Sequence, residues 1–269
     1  MSKSIGVLGC GWLGFPLAQN LVKEGFEVHG TTTSESKMEL LKTNGIQPYE
    51  IALQEKQIIG EIEEFLSNIQ ILIINVPPRL RKSNAESYVD KMKLLHSKLK
   101  GSSVKYVVFA SSTSVYGNIE GEISEKTIPQ PITESGKQLL LCEAIFKDDP
   151  NLHTTIIRFG GLIGPNRHPV TMLSKRKRLT NGDDPVNLIH LDDCIHIIGT
   201  VIQNSYWNET FNAVYPFHPT KKEFYTQEAL KRGIPIPDYE PSIQQKKRGV
   251  IRSTNFLNKS HKFYTSLVS

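Results

Sequence analysis

Short apolar runs recur along the chain and alternate with stretches of helical periodicity. Ser4 to Leu8 (Ile5, Val7, Leu8) reads as a buried strand, and Phe15, Leu17, Ala18, Leu21 and Val22 fall on one side of a helix that Gly25 ends. Phe26-Glu27-Val28-His29-Gly30 predicts a second strand. The alternation continues as strand Gln47–Leu53, helix Lys56–Ser67 and strand Ile69–Val76. A helix over Ala85–Lys100 follows, with Tyr88, Met92, Leu95 and Leu99 on one side. Then come strand Val104–Ala110, helix Pro131–Phe146 and strand Thr154–Phe159. Strands separated by helices of about 10–15 residues imply right-handed crossovers and a parallel sheet. Ligands of such sheets sit beyond the carboxyl ends of the strands. Asn75-Val76-Pro77, Ser111-Ser112 and Gly160-Gly161 all fall at such ends.

Composition narrows the class. The chain has 269 residues, 38% hydrophobic and 22% charged, with 19 Gly and 15 Pro, which is globular composition and not that of a disordered or fibrous chain. Ile69 to Val76, the longest apolar run, is broken by Gln70 and Asn75 and is too short to span a membrane. Met1-Ser2-Lys3-Ser4 leads straight into a strand, so no signal peptide is expected. Cys10, Cys142 and Cys194 are odd in number and lack a CxxC pair. They predict reduced thiols, a cytoplasmic location and no zinc site.

The net charge of +5 is uneven. Residues 1–164 hold 17 basic and 18 acidic side chains, whereas residues 220–269 hold 10 and 4. A solvated basic face is one reading. The other is a positive field drawing an anionic small molecule to a lid made by Lys175, Arg176, Lys177, Arg178, Lys246, Lys247 and Arg248. A pI near 8.9 without aromatic-basic interleaving speaks little for nucleic acid. A homodimer stays open.

Gly9-Cys10-Gly11-Trp12-Leu13-Gly14 is a GxGxxG segment between a strand and a helix, with a second strand close behind, the context of a dinucleotide-binding turn. Gly9 suits the tight turn, Gly11 the approach of a pyrophosphate, and Gly14 close helix packing. The helix N-terminus adds N–H donors and a positive dipole end. After the second strand, Thr31-Thr32-Thr33-Ser34 offers hydroxyls and no acid before Glu35. A carboxylate there would select NAD; hydroxyls with Lys37 nearby favour NADP, with NAD still admissible. The usual phosphate-binding arginine is absent.

Ser111-Ser112-Thr113-Ser114-Val115-Tyr116-Gly117 resembles the SSxxVYG segment of extended short-chain dehydrogenases/reductases, the nucleotide-sugar epimerase/dehydratase group. Arg158-Phe159-Gly160-Gly161-Leu162-Ile163-Gly164-Pro165 resembles their RxxxxxGP segment, and Asn187-Leu188-Ile189-His190-Leu191-Asp192-Asp193 their IHVDD segment. The resemblance implies an α/β fold: a Rossmann-type, doubly wound parallel sheet of about seven strands with a small C-terminal substrate domain. Residues 1–164, with 186–215 returning to the sheet, would form the first part; residues 165–185 and 216–269 would form the second. It also implies Ser112 as the catalytic serine, and cofactor contacts from Gly9, Gly11, Trp12, Leu13, Gly14, Thr31, Thr32, Thr33, Ser34, Lys37, Asn75, Val76, Pro77, Ser111 and Lys137.

The chain departs from that family at the YxxxK pair, where the tyrosine is the acid/base and the lysine holds the nicotinamide ribose. Aligned on Lys137, the tyrosine position holds Thr133; aligned on Glu143, it holds Ser135 and the lysine position Leu139. No tyrosine occurs between Tyr116 and Tyr206. This is the pattern of atypical members that keep the cofactor site and lose the tyrosine. Losing a positioned acid/base group costs about 10²–10⁴-fold in rate. The candidate catalytic set is therefore Ser112, Tyr116, Lys137 and Thr133. Tyr116 stands in for the missing phenol, its pKa lowered by a lysine, unless it only packs. Ser112 and Thr113 have strand-end capping as an alternative role.

Asp192 or Asp193 is expected to cap a helix near Cys194, Thr220-Lys221-Lys222-Glu223 to form a capping box, and Cys10 to pack, unless the helix end lowers its pKa. Two functions remain open: an enzyme using NADP on a sugar-nucleotide-like or other anionic carbonyl or alcohol substrate, and a cofactor-binding sensor or regulator without turnover.

Overall fold

The computed structural model describes residues 4–78, 80, 86–241 and 247–267. Seven strands form one parallel sheet: β1 (Ser4–Leu8), β2 (Glu27–Thr32), β3 (Ile46–Glu50), β4 (Ile71–Ile74), β5 (Tyr106–Ser112), β6 (His153–Phe159) and β7 (Thr210–Ala213). Their spatial order is β3-β2-β1-β4-β5-β6-β7, every neighbouring pair parallel. This is the expected Rossmann-type, doubly wound sheet. Helices α1 (Gly14–Lys23), α2 (Met38–Thr43) and α6 (Leu191–Gln203) cover one face; α3 (Ile62–Ser67), α4 (Tyr88–Leu99) and α5 (Glu134–Lys147) cover the other. Cover on both faces explains why Ile71-Leu72-Ile73-Ile74 is apolar without alternation, with every residue fully buried. Strand order reverses at β1, so the gap beyond the ends of β1 and β4 is the natural ligand crevice.

The sequence placed most elements to within a few residues. The expected helix over 56–67 is an exception. Ala52–Leu53 and Ile58–Ile59 pair as an antiparallel hairpin, and only Ile62–Ser67 is helical. Gly60 ends the hairpin at φ +97°, where a β-carbon would lie 2.0 Å from the Glu50 carbonyl oxygen. Ala85, the expected start of α4, lies outside the described residues.

Beyond β6, Gly161–Ile163 pairs with Leu188–His190. Around them a smaller apolar cluster gathers Ile163, Val170, Val186, Leu188, Phe224, Tyr225 and Ala229 with Leu267. Helix α7 (Lys221–Lys231) contributes the aromatic pair and opens with the expected capping box, in which Thr220 accepts from the Glu223 N–H and Glu223 accepts from the Thr220 N–H. Residues 250–263, read from sequence as part of the appendage, instead lay Ile251, Phe256 and Phe263 on the two central cores. Asp193 does not cap α6. His190 does, accepting from the Asp192 N–H through Nδ1, while the buried Asp193 carboxylate accepts from the Tyr264 and Thr265 N–H groups and ties the C-terminal segment down. No helix among the described residues is long and apolar enough to cross a membrane.

The tightest constraint is at the first turn. A β-carbon on Gly14 would stand 2.1 Å from the Gly9 carbonyl oxygen, whereas one on Gly11 would meet nothing within 4 Å. Gly14→Ala is therefore expected to lose about 1–3 kcal/mol or more of stability, and Gly11→Ala to lose far less. Denaturant midpoints of the two variants, measured side by side, check this; equal midpoints would contradict the packing described.

Candidate active site and cofactor cleft

The turn from β1 into α1 is held by three hydrogen bonds. The Gly9 N–H donates to Thr31 Oγ1 (2.9 Å), the Cys10 N–H to the Thr31 carbonyl (2.8 Å), and Asn75 Nδ2 to the Gly9 carbonyl (3.2 Å). They bind the turn to the ends of β2 and β4. Helix α1 begins without a side-chain cap and without an acid in its first turn, so its N-terminal donors and dipole suit an anion. The adjoining cleft, about 210 Å³, is lined by Gly9, Gly11, Thr31, Thr32, Thr33, Lys37, Asn75, Val76 and Pro77. Nine of the residues expected at a cofactor thus share one wall. Trp12, Leu13 and Gly14 lie in the turn itself, and Ser34, Ser111 and Lys137 do not line the cleft.

The hydroxyls after β2 divide their work. Thr31 holds Gly9, Thr32 accepts from the Ser34 N–H (3.2 Å), and Ser34 pairs with Ser36 (2.8 Å). Thr33, exposed beside Lys37, makes no side-chain hydrogen bond among the described residues. Sequence reasoning missed Ile51, Leu53, Tyr88, Lys91 and Met92 on the same wall. Tyr88 and Met92 had registered only as the apolar side of a helix, a signal equally good for core.

A second cleft, about 280 Å³, opens beyond β5 and β6. Its lining includes Ser112, Thr113, Ser114 and Gly117, together with Gly160, Gly161, Asn187, Leu188, Lys221, Tyr225 and Arg248. Ser112 Oγ accepts from the Ser114 N–H (3.1 Å) and caps the turn Thr113–Tyr116. Of the expected basic lid, Arg248 reaches this cleft, joined by Lys221, which the sequence did not single out. The run Lys175–Arg178 is exposed and absent from the lining, with Arg178 paired to Glu240; Lys247 is absent too, and Lys246 lies outside the described residues.

Residues 4–120 match the family described as the NAD binding domain of 6-phosphogluconate dehydrogenase. The chain is 30% identical to Protein YeeZ of Escherichia coli K12 over 257 residues, covering 95% of this chain and 93% of that protein. It belongs to that protein's family. Among solved structures, UDP-glucose 4-epimerase from Thermotoga maritima with UDP-glucose superposes with a TM-score of 0.80 at 20% identity, covering 98% of this chain and 95% of the epimerase. UDP-glucuronic acid 4-epimerase from Bacillus cereus in complex with NAD gives 0.79 at 18% identity, covering 98% and 93%. The fold is that of the NAD-binding, short-chain dehydrogenase/reductase-like epimerases and dehydratases.

In this family member a buried polar chain links the ends of β5, β6 and β7. Arg158 grips Glu143 of α5 through Nε and Nη2, the shortest contact being 2.6 Å, and Ser111 Oγ donates to the same carboxylate (2.5 Å). Arg158 Nη1 donates to the Tyr116 hydroxyl (2.9 Å), which lies 2.8 Å from Asn212 Oδ1 and donates there. All five residues are buried. Glu143 is thus the anchored glutamate of α5; on the same helix Leu139 is buried and Ser135 half-buried. Thr133 caps α5 by accepting from the Gly136 N–H (3.1 Å). Thr133 and Lys137 are exposed and line neither cleft.

One expected pKa direction reverses. Burial pushes the Tyr116 phenol up, against a lowering contribution from Arg158, and no lysine lowers it. Cys10 packs in the core, as expected, and burial pushes its thiol up to about 12, so the alternative of activation by the helix end does not hold.

Breaking a buried ion pair by removing one charge costs about 3–5 kcal/mol, and deleting one hydroxyl from a satisfied network about 1–3 kcal/mol. Glu143→Gln is therefore expected to destabilise the protein more than Tyr116→Phe does. Urea denaturation of both variants checks the order; the reverse order would refute the arrangement.

Proposed function

We propose that the protein is an NAD(P)-dependent, epimerase/dehydratase-like enzyme acting on a sugar-nucleotide-like, anionic carbonyl or alcohol substrate. The observation that carries this reading is the open space at Gly11, facing an uncapped helix N-terminus. The Ser112 cleft, with Arg248 in its lining beside a Lys221 paired to Asp184, adds a second compartment. The residues present fit a dinucleotide. The turn Gly9–Gly14 and the N–H groups of α1 receive its diphosphate, Asn75 holds the turn, and Thr33 with Lys37 meets the ribose next to adenine. When bound, the nicotinamide supplies hydride exchange.

The chain's own part in the chemistry is placement. Ser112 donates a hydrogen bond to the reacting oxygen of the substrate, and Arg248 holds its anionic group, while Lys221 is paired with the buried Asp184 (2.8 Å) and fixes that wall. Tyr116, locked between Arg158 and Asn212, is assigned to keeping the Ser112 turn in place rather than to proton transfer. Thr133 is assigned to capping, and Lys137 has no part in this reading. NADP is the preferred cofactor, because Thr33 and Lys37 offer a donor and a cation and no carboxylate stands at the end of β2.

Gly11→Val is expected to remain folded and to lose dinucleotide binding, as measured by calorimetry alongside thermal unfolding; unchanged affinity in a folded variant would refute the cleft assignment. Titrating both cofactors at equal salt is expected to give tighter NADP binding, with Lys37→Ala weakening NADP more than NAD. Tighter NAD binding in the unmodified protein would reverse the preference.

A further inference from the structure

The cofactor reading leaves one cation beside the glycine turn without a role. Arg167 is exposed, and its guanidinium carbon lies 4.8 Å from the centre of the Trp12 ring. Trp12 sits between Gly11 and Leu13, where the turn enters α1. Its indole N–H donates to the Pro165 carbonyl (3.0 Å), and Arg167 closes a tight turn on Gly164 through two reciprocal backbone hydrogen bonds of 3.0 Å. The segment 164–167 is thus fastened to the glycine turn by a hydrogen bond and by a stacked guanidinium. Stacking restricts the guanidinium without using its donors, which lie in its plane and suit a bidentate oxyanion.

Nothing among the described residues neutralises that charge. Neither acid at the start of α6 forms an ion pair with Arg167 among the described residues. Asp192 is exposed, and Asp193 accepts from two N–H groups of the C-terminal segment. An unpaired guanidinium and an uncapped helix N-terminus therefore flank the same turn, which contains no acid.

We propose that Arg167 is a ligand of the dinucleotide's diphosphate, supplied by the turn after β6. This rests on the cofactor reading above and deepens it. The arginine missing after β2 concerns the 2′-phosphate; Arg167 serves the diphosphate shared by NAD and NADP. Its segment also leads into residues 170–188, which line the second cleft at Pro185–Leu188. Cofactor binding would then fix the start of the chain that shapes the substrate side.

A diphosphate can also arrive on a nucleotide sugar, so the test carries both. Trp207, the second of two tryptophans, stacks on Tyr106 at the amino end of β5, the edge of the sheet opposite the clefts. Trp207→Phe therefore isolates Trp12 emission. In that background, NADP, NAD and UDP are titrated separately by fluorescence and calorimetry into the parent, Arg167→Gln and Arg167→Lys. The expected result is a change in Trp12 emission on dinucleotide binding. Arg167→Gln should weaken both dinucleotides at least ~10-fold, as for a charge-assisted bond, with a flatter salt dependence and unchanged UDP affinity, and Arg167→Lys should fall between. Equal dinucleotide affinity in folded Arg167→Gln, or a loss confined to UDP, overturns the assignment and leaves the cofactor reading standing. A parent protein that binds neither dinucleotide overturns both.

Discussion

The ion pair between Arg158 and Glu143 is the contact on which the Ser112 cleft of this molecule depends. Two full charges taken out of water are tolerable only when they are paired and when their remaining donors and acceptors are used. Here they are. The carboxylate takes Arg158 and Ser111, and the guanidinium continues to Tyr116 and thence to Asn212. Because these residues come from β5, α5, β6, β7 and the turn after β5, the pair sets where four elements of the sheet and its cover meet. The Ser112 turn can then lie in only one place, against α5 and at the mouth of the second cleft.

On the cofactor side the controlling constraint is steric. A backbone oxygen at Gly9 fills the space a side chain on Gly14 would need, and hydrogen bonds from Thr31 and Asn75 determine where that oxygen points. The turn is rigid on its protein side and open at Gly11. A turn held in place on its protein side is what a preorganised anion site requires, since the donors need not reorganise when the ligand enters. The two halves differ in kind: one is built from backbone and glycine, the other from buried charge. They meet where Trp12 joins the segment 164–167.

Helix α5 belongs to the charged half. Glu143 anchors it in the core, while Thr133 caps its exposed first turn and Ser135 precedes a glycine.

The glycine turn, the strand ends at Asn75 and Ser112, and the parallel sheet were readable from sequence because each is written in a contiguous strand–turn–helix unit with fixed spacing. Local order was enough. The anchoring of Glu143 in the core was not readable, because it depends on Arg158, fifteen residues further on and on another strand. The hairpin at 52–59 hid for a similar reason: the Glu50 carbonyl makes Gly60 necessary, and a periodicity count does not see it. Net charge could announce a basic C-terminal region, yet only the packing of α7 and the 248–251 segment against Asn187 and Asp184 could decide that Lys221 and Arg248, not Lys175–Arg178, stand at the cleft. Sequence determined the elements and the chemistry they carry. Tertiary structure decided which side chains are consumed in holding the fold and which remain for a ligand, because burial and hydrogen-bond partners are set by segments far apart in the chain.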